Sequence, residues 1–224
     1  MNKNTPLLPI KPPLFKPIKH SLADWDFKPA GGLNISETTF VSPPSSLRQG
    51  GPELPMDWTW AFVKSAVIPC VAEGMFATWR ILSSWFGMLN SQQIMVRTQA
   101  VPTNVYPANA YGFEIRHNYL YIKRWVAGGY AVLAEGVPPN PQNLDEWNHV
   151  AVQWYTYLDA NLTTILRLRI LFEVAGAWVE QLFVDDPSNR WAGSAINRVG
   201  FVLYTNVNPP YGYIDDTQVW KRAA

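Results

Sequence analysis

The stretch Glu146-Trp147-Asn148-His149-Val150-Ala151-Val152-Gln153-Trp154, with Leu166-Arg167-Leu168-Arg169-Ile170 after it, decides how the chain is read. Apolar, β-branched and aromatic residues recur at every second position or run together, the period of a strand with a buried face. The same reading holds for Thr39-Phe40-Val41, Phe113-Glu114-Ile115-Arg116 and Tyr119-Leu120-Tyr121-Ile122. Between them lie turn formers: Pro29-Ala30-Gly31-Gly32, Ala127-Gly128-Gly129, Pro138-Pro139-Asn140-Pro141 and Asn208-Pro209-Pro210. Short strands punctuated in this way predict an all-β, two-sheet antiparallel sandwich. Residues 61–71 and 75–89 can also be read at a helical period. Strands are preferred there, because Val63, Val67, Ile68, Val71, Phe76, Thr78, Trp79 and Ile81 suit a pleat.

Composition sets the outer limits. The chain has 224 residues, of which 48% are hydrophobic and only 16% charged, and its 31 aromatic residues include 11 tryptophans. A chain of this size can bury roughly 70% of its unfolded surface, so one core needs no disulfide or metal. Disorder is excluded. Net charge is +1, which provides no field to hold a nucleic-acid backbone or an anionic membrane. Cys70 stands alone, so no intrachain disulfide can form. The longest charge-free apolar part, residues 81–96, is too short to span a bilayer.

The charge is unevenly spread. Residues 1–23 carry Lys3, Lys11, Lys16 and Lys19 and no acid, so the remaining 14 basic and 17 acidic residues leave a body of net −3. Five prolines among the first nineteen residues rule out helix or central strand and predict an extended arm. At about 3.1 Å per residue it reaches roughly 60 Å, against a radius of gyration of about 17 Å for the body. Leu7, Leu8, Ile10, Leu14, Phe15 and Ile18 interleave the lysines and look built to be buried, either on a neighbouring subunit or on the arm's own domain. The prolines also interrupt any signal-peptide core, so the reading encodes no secretory export. The expected organisation is an arm over residues 1–23 and a sandwich over residues 24–224.

The order of elements resembles the concanavalin A-like jelly rolls, the group holding laminin-G-like domains and carbohydrate-binding modules. Asp24-Trp25-Asp26-Phe27 and Thr39-Phe40-Val41-Ser42 resemble its opening strands. The Trp147 strand, the strand from Leu166 to Phe172 and Gly176-Ala177-Trp178 resemble its tryptophan-led strand, hairpin and return. Arg198-Val199-Gly200-Phe201-Val202 and Tyr213-Ile214-Asp215-Asp216-Thr217-Gln218-Val219 resemble its closing strands. The resemblance spans roughly residues 24–222 and implies a jelly-roll sandwich carrying a proline-rich N-terminal arm. It does not carry the catalytic pattern of the laminarin-type glycosidases, whose retaining chemistry needs paired carboxylates about 5.5 Å apart. Glu37, Glu53, Glu73, Glu114, Glu135, Glu146, Glu173 and Glu180 are each isolated in sequence. Nor does it carry the acidic strand of legume-type lectins. Gln153 and Tyr155 stand at the acidic places, removing the oxygens a calcium–manganese pair requires. What the resemblance does imply is a structural calcium, held by Asp215 or Asp216 with Asp24 or Asp26. The competing role for these aspartates is turn capping.

No nucleophile elbow, phosphate loop or Cys-x-x-Cys is present, and His149 reads as a hydrogen-bonded structural histidine. The reading is non-enzymatic. Trp58, Trp60, Trp125, Trp191 and Tyr211 lie in or beside turn-rich segments, where a ring either stacks on a sugar or anchors a partner, or else plugs an end of the sandwich. The strand tryptophans Trp79, Trp147, Trp154, Trp178 and Trp220 are assigned to the core. Two functions follow. The first is a structural protein of a large assembly, a phage capsid decoration, cement or fibre-associated protein at the virion surface and cytoplasmic before assembly, clasping neighbouring subunits with its arm. The second is a carbohydrate-binding module or adhesin that grips surface glycans.

Overall fold

The structure is a computed structural model and describes residues 25–28, 33–36, 46–49, 57–63, 72–81, 91–98, 109–191, 198–205 and 213–221. The predicted arm, Asp24 and Tyr211 lie outside these residues. The described residues form strands β1 (Trp25–Lys28), β2 (Leu33–Ser36), β3 (Ser46–Gln49), β4 (Asp57–Val63), β5 (Gly74–Ile81), β6 (Ser91–Thr98) and β7 (Asn109–Ile115). They continue with β8 (Leu120–Val126), β9 (Gly129–Gly136), β10 (Trp147–Leu158), β11 (Thr164–Val174), β12 (Ala177–Asp186), β13 (Arg198–Thr205) and β14 (Tyr213–Lys221). Two seven-stranded antiparallel sheets result, ordered β1-β4-β13-β6-β7-β8-β9 and β12-β11-β10-β5-β14-β3-β2. The segments open to a helical reading are strands where described, as β4 and β5.

Alternation builds the core. On β10, Val150, Val152 and Trp154 point between the sheets and meet Phe76 of β5, Leu168 and Ile170 of β11, and Phe113 and Ile122 of the opposite sheet. Two-residue turns set the hairpins: Ala127-Gly128 (φ 51° and 82°) joins β8 to β9, and Ala175-Gly176 (φ 51° and 79°) joins β11 to β12. Positive φ at both central positions matches the right-handed twist of the flanking strands.

The sheets also carry apolar clusters away from this core. Phe62, Met95, Ala110, Trp125 and Val202 pack together on the first sheet, and Met75, Ala77, Ala151 and Leu171 on the second, with Trp178 and Trp220 against them. A strand whose two faces are both apolar in part does not reveal from sequence which face is the interior. That ambiguity decides the fate of the tryptophan assignments below.

One end of the sandwich is tied by a polar knot. The Tyr111 hydroxyl donates to Asp186 Oδ2 at 2.6 Å, Arg124 Nη1 donates to Asp186 Oδ1 at 3.0 Å, and the Ser188 amide donates to the same oxygen at 2.9 Å. Burial by itself raises the Asp186 pKa, but the bonds from Tyr111, Ser188 and Arg124 outweigh it and hold the carboxyl below its usual range. Burial, with the hydrogen bond and charge of Asp186, pushes the Tyr111 hydroxyl up to about 12. A carboxyl depressed in the folded state adds stability above its unfolded pKa and loses it as pH falls through the folded value. Stability is therefore expected to fall as pH drops below about 4, and Asp186→Asn to flatten that fall. Urea unfolding from pH 7 to 2.5 measures it, and an unchanged acid slope in the variant would remove Asp186 from the explanation.

Candidate functional site

Trp79, Trp147, Trp178 and Tyr213, all only partly buried, converge with His149 on one end of the second sheet. Trp79 of β5 stands in register with Asp215 of β14 on one side and His149 of β10 on the other, and Glu173 of β11 faces Trp178 of β12. His149 joins the two halves of this row. Its ring stacks on Trp79 with centroids 4.5 Å apart and planes 7° apart, and it meets Trp178 at 4.6 Å and 55°. Its Nδ1 hydrogen-bonds Glu173 Oε2. The bond locks the carboxylate and the imidazole in one orientation, with Trp rings on both sides. Two residues before His149 on β10, Trp147 meets Tyr213 edge-on, with ring centroids 6.4 Å apart and planes at 67°.

A wall rises beside this row from residues 137–146. It is pinned from inside the sandwich by Arg80, only 1% exposed, whose Nε donates to Gln142 Oε1 at 3.0 Å while Nη1 donates to Gln92 Oε1 at 3.2 Å and to the Ile115 carbonyl at 3.0 Å. These acceptors are neutral oxygens, and burial lowers the Arg80 pKa to about 9. The wall is tied again at Asn140, whose amide donates to Gln181 Oε1 at 3.0 Å and whose Oδ1 accepts from Gln181 Nε2 at 3.2 Å. Asn148 closes the third tie: its Oδ1 accepts from the Asn143 amide at 2.9 Å and its Nδ2 donates to the Asn143 carbonyl at 2.7 Å.

Wall and row enclose a cavity of about 400 Å³, lined by Trp79, Trp147, His149, Glu173, Asn140 and Asn143 among others. That volume is at the small end for ligand sites, and the mix of ring faces with a few fixed polar groups is the usual make-up of one. It fits a small amphipathic ligand with an apolar face and several hydroxyls.

For Trp125 and Trp191 the structure decides between the two roles left open by the sequence, and for most of the strand tryptophans it departs from the core assignment. Trp125, expected beside a turn, lies within β8, 3% exposed, among Phe62, Met95 and Val202, so its ring offers no face to a ligand. Trp191 takes φ 62° and packs against the main core with its ring 5.2 Å from Tyr111. Conversely, Trp79, Trp147, Trp178 and Trp220, assigned to the core, are partly exposed, and only Trp154 of that group is fully buried. The cause is parity. Trp147 and Trp79 sit on the face opposite Val150 and Phe76, and nothing in an alternating pattern names the inner face. Trp58 and Trp60 fall in β4, where the backbone alone is described.

Of the aspartates expected to hold calcium, Asp24 lies outside the described residues and Asp26 is described in its backbone alone. Asp26 lies in β1 at the edge of the first sheet, and Asp215 and Asp216 lie in β14 of the second. Asp215 is fully buried and its Oδ1 accepts the Asp216 amide at 2.6 Å, where the register of β14 shifts against β5. No group of three His, Cys, Asp or Glu residues able to hold a metal forms among the described residues. At the position of the legume-lectin acids, Gln153 accepts from Arg169 Nη1 at 3.2 Å, so a guanidinium stands beside it.

Comparison with solved structures gives the class of fold. The chain is similar to the VIP36 exoplasmic/lumenal domain in its Ca2+/Man3GlcNAc-bound form, with TM-score 0.59 and 12% identity, covering 94% of this chain and 88% of that one. It is similar to a legume lectin-like domain from Entamoeba histolytica, at TM-score 0.56, 8% identity and 91% and 92% coverage. It is also similar to the carbohydrate-binding module CBM66 from Bacillus subtilis, at TM-score 0.50, 10% identity and 85% and 96% coverage. The fold is thus a concanavalin A-like, legume-lectin-like jelly roll. No protein-family model matches the chain, and no curated protein matches it either.

Proposed function

We propose that this protein is a non-enzymatic carbohydrate-binding domain whose ligand seats in the cleft of Trp79, Trp147, His149 and Glu173. The observation that carries the reading is the cleft itself: half-buried indoles beside a locked carboxylate and amide groups, in a cavity of about 400 Å³. Fold does not decide function, but the solved neighbours, among them lectins and a carbohydrate-binding module, support this reading over a structural role in a virion. The assembly reading rests on Leu7, Leu8, Ile10, Leu14, Phe15 and Ile18 in residues 1–23, which lie outside the described residues, and no observation favours it.

The test is a glycan array followed by titration calorimetry on the best hit. Wild-type protein is expected to bind saturably, and Trp147→Ala to weaken binding at least tenfold, about 1.4 kcal/mol, with a melting temperature within about 2 °C of wild type. The small stability change follows from its partial exposure. Equal affinity in the variant would move the site elsewhere.

A further inference from the structure

The charges around the cleft say which sugars it accepts, on the footing that it is the sugar site. Among the described residues, Glu173 is the one formally charged acid lining it, with its side chain 31% exposed. Only Oε2 is engaged by His149, and Oε1 carries no hydrogen bond among the described residues. Glu146 stands exposed on the same wall. No lysine or arginine lines the cavity among the described residues. Arg80, just behind the wall, spends its donors inward on Gln142, Gln92 and the Ile115 carbonyl.

We infer that the cleft selects an uncharged pyranose that presents two adjacent hydroxyls to Glu173 and an apolar face to Trp147, and that it rejects uronic, sialic and sulfated sugars. A carboxylate oxygen with open lone pairs accepts hydroxyl hydrogens but gives nothing to an anion. An anionic sugar seated there loses its water and meets Glu173 with no lysine or arginine among the described lining residues to offset the repulsion, a built-in discrimination against the wrong ligand. The Asn143 side chain completes the polar rim, because the tie to Asn148 uses only the Asn143 backbone.

The experiment compares matched neutral and uronate forms of the disaccharide that binds best, at pH 8 and low ionic strength. Wild-type protein is expected to bind the neutral form at least tenfold more tightly. Glu173→Gln, whose amide can donate to a carboxylate, is expected to narrow that ratio to less than threefold. A purely structural role for Glu173 would weaken both ligands together and leave the ratio unchanged, which overturns the inference. So would a wild-type protein that binds the uronate as tightly as the neutral sugar, although the cleft would remain a sugar site. If neither binds, the cleft is no sugar site and both readings fall.

Discussion

Arg80→Ala is expected to lower stability by about 3 kcal/mol and to weaken sugar binding by more than tenfold. Arg80 is a cation held away from water on three neutral oxygens, and that burial lowers its pKa to about 9. Alanine removes the cost together with the bonds. It leaves Gln142, Gln92 and the Ile115 carbonyl without their donor in a dry place, at about 1–3 kcal/mol for each acceptor that finds no other, and it opens a cavity. The relief of desolvation offsets part of this, which is why the net is smaller than the sum. At about 2–4 °C per kcal/mol for a chain of this length, melting should fall by roughly 10 °C. The binding loss has a separate cause. Gln142 lies in the wall of the cleft, so releasing it frees the wall while the tryptophans stay in place. Arg80→Met fills the volume without donating, and should recover some of the stability but little of the affinity. A variant that binds sugar as wild type does would show the wall to be held by the Asn140 and Asn148 ties alone.

Gly200→Ala is expected to be more damaging still, at 3 kcal/mol or more by overpacking against backbone. A methyl group there would lie 2.6 Å from Phe62 Cδ1 and 2.8 Å from Phe62 Cα, and closer again to the Ala61 carbonyl oxygen. Those atoms belong to β4, which pairs with β13 at this point, so relief requires two central strands to separate. Gly112 offers a graded control, because its added methyl would meet side-chain atoms, Trp125 Nε1 at 3.0 Å and Met95 Sδ at 3.1 Å. Side chains can give way where backbone cannot. Gly112→Ala should therefore cost about 1 kcal/mol, and chemical denaturation ranks the two. Equal effects would mean that β4 and β13 are less closely apposed than described.

The sandwich was legible in the sequence because its signals are local. Alternation along Val150–Trp154 and Leu166–Ile170 and the turn formers at Ala127-Gly128-Gly129 act over two to four residues, and β10, β11 and the β8–β9 hairpin follow them. The candidate site was not legible, because it depends on register across five strands. Trp79, His149 and Glu173 are far apart in the chain, and only the pairing of β5, β10 and β11 sets them in one row. Read singly, His149 was a hydrogen-bonded structural histidine, which it is, but its acceptor turned out to be a cleft carboxylate. The one local hint was the Pro138-Pro139-Asn140-Pro141 loop directly before the Trp147 strand, which becomes the wall. Position beside a turn misled in the opposite sense for Trp125, because β8 extends to Val126 and carries that ring into a packed cluster.

The central claim is the place of binding, and tryptophan side-chain NMR tests it most directly. Indole 1H–15N signals, assigned by single substitutions, are recorded while the best glycan from the array is added. The Trp79, Trp147 and Trp178 signals are expected to move in a saturable way, while those of Trp125 and Trp154, buried in two different clusters, stay where they are. Movement confined to tryptophans outside the cleft, with Trp79 and Trp147 unmoved at saturation, would contradict that claim.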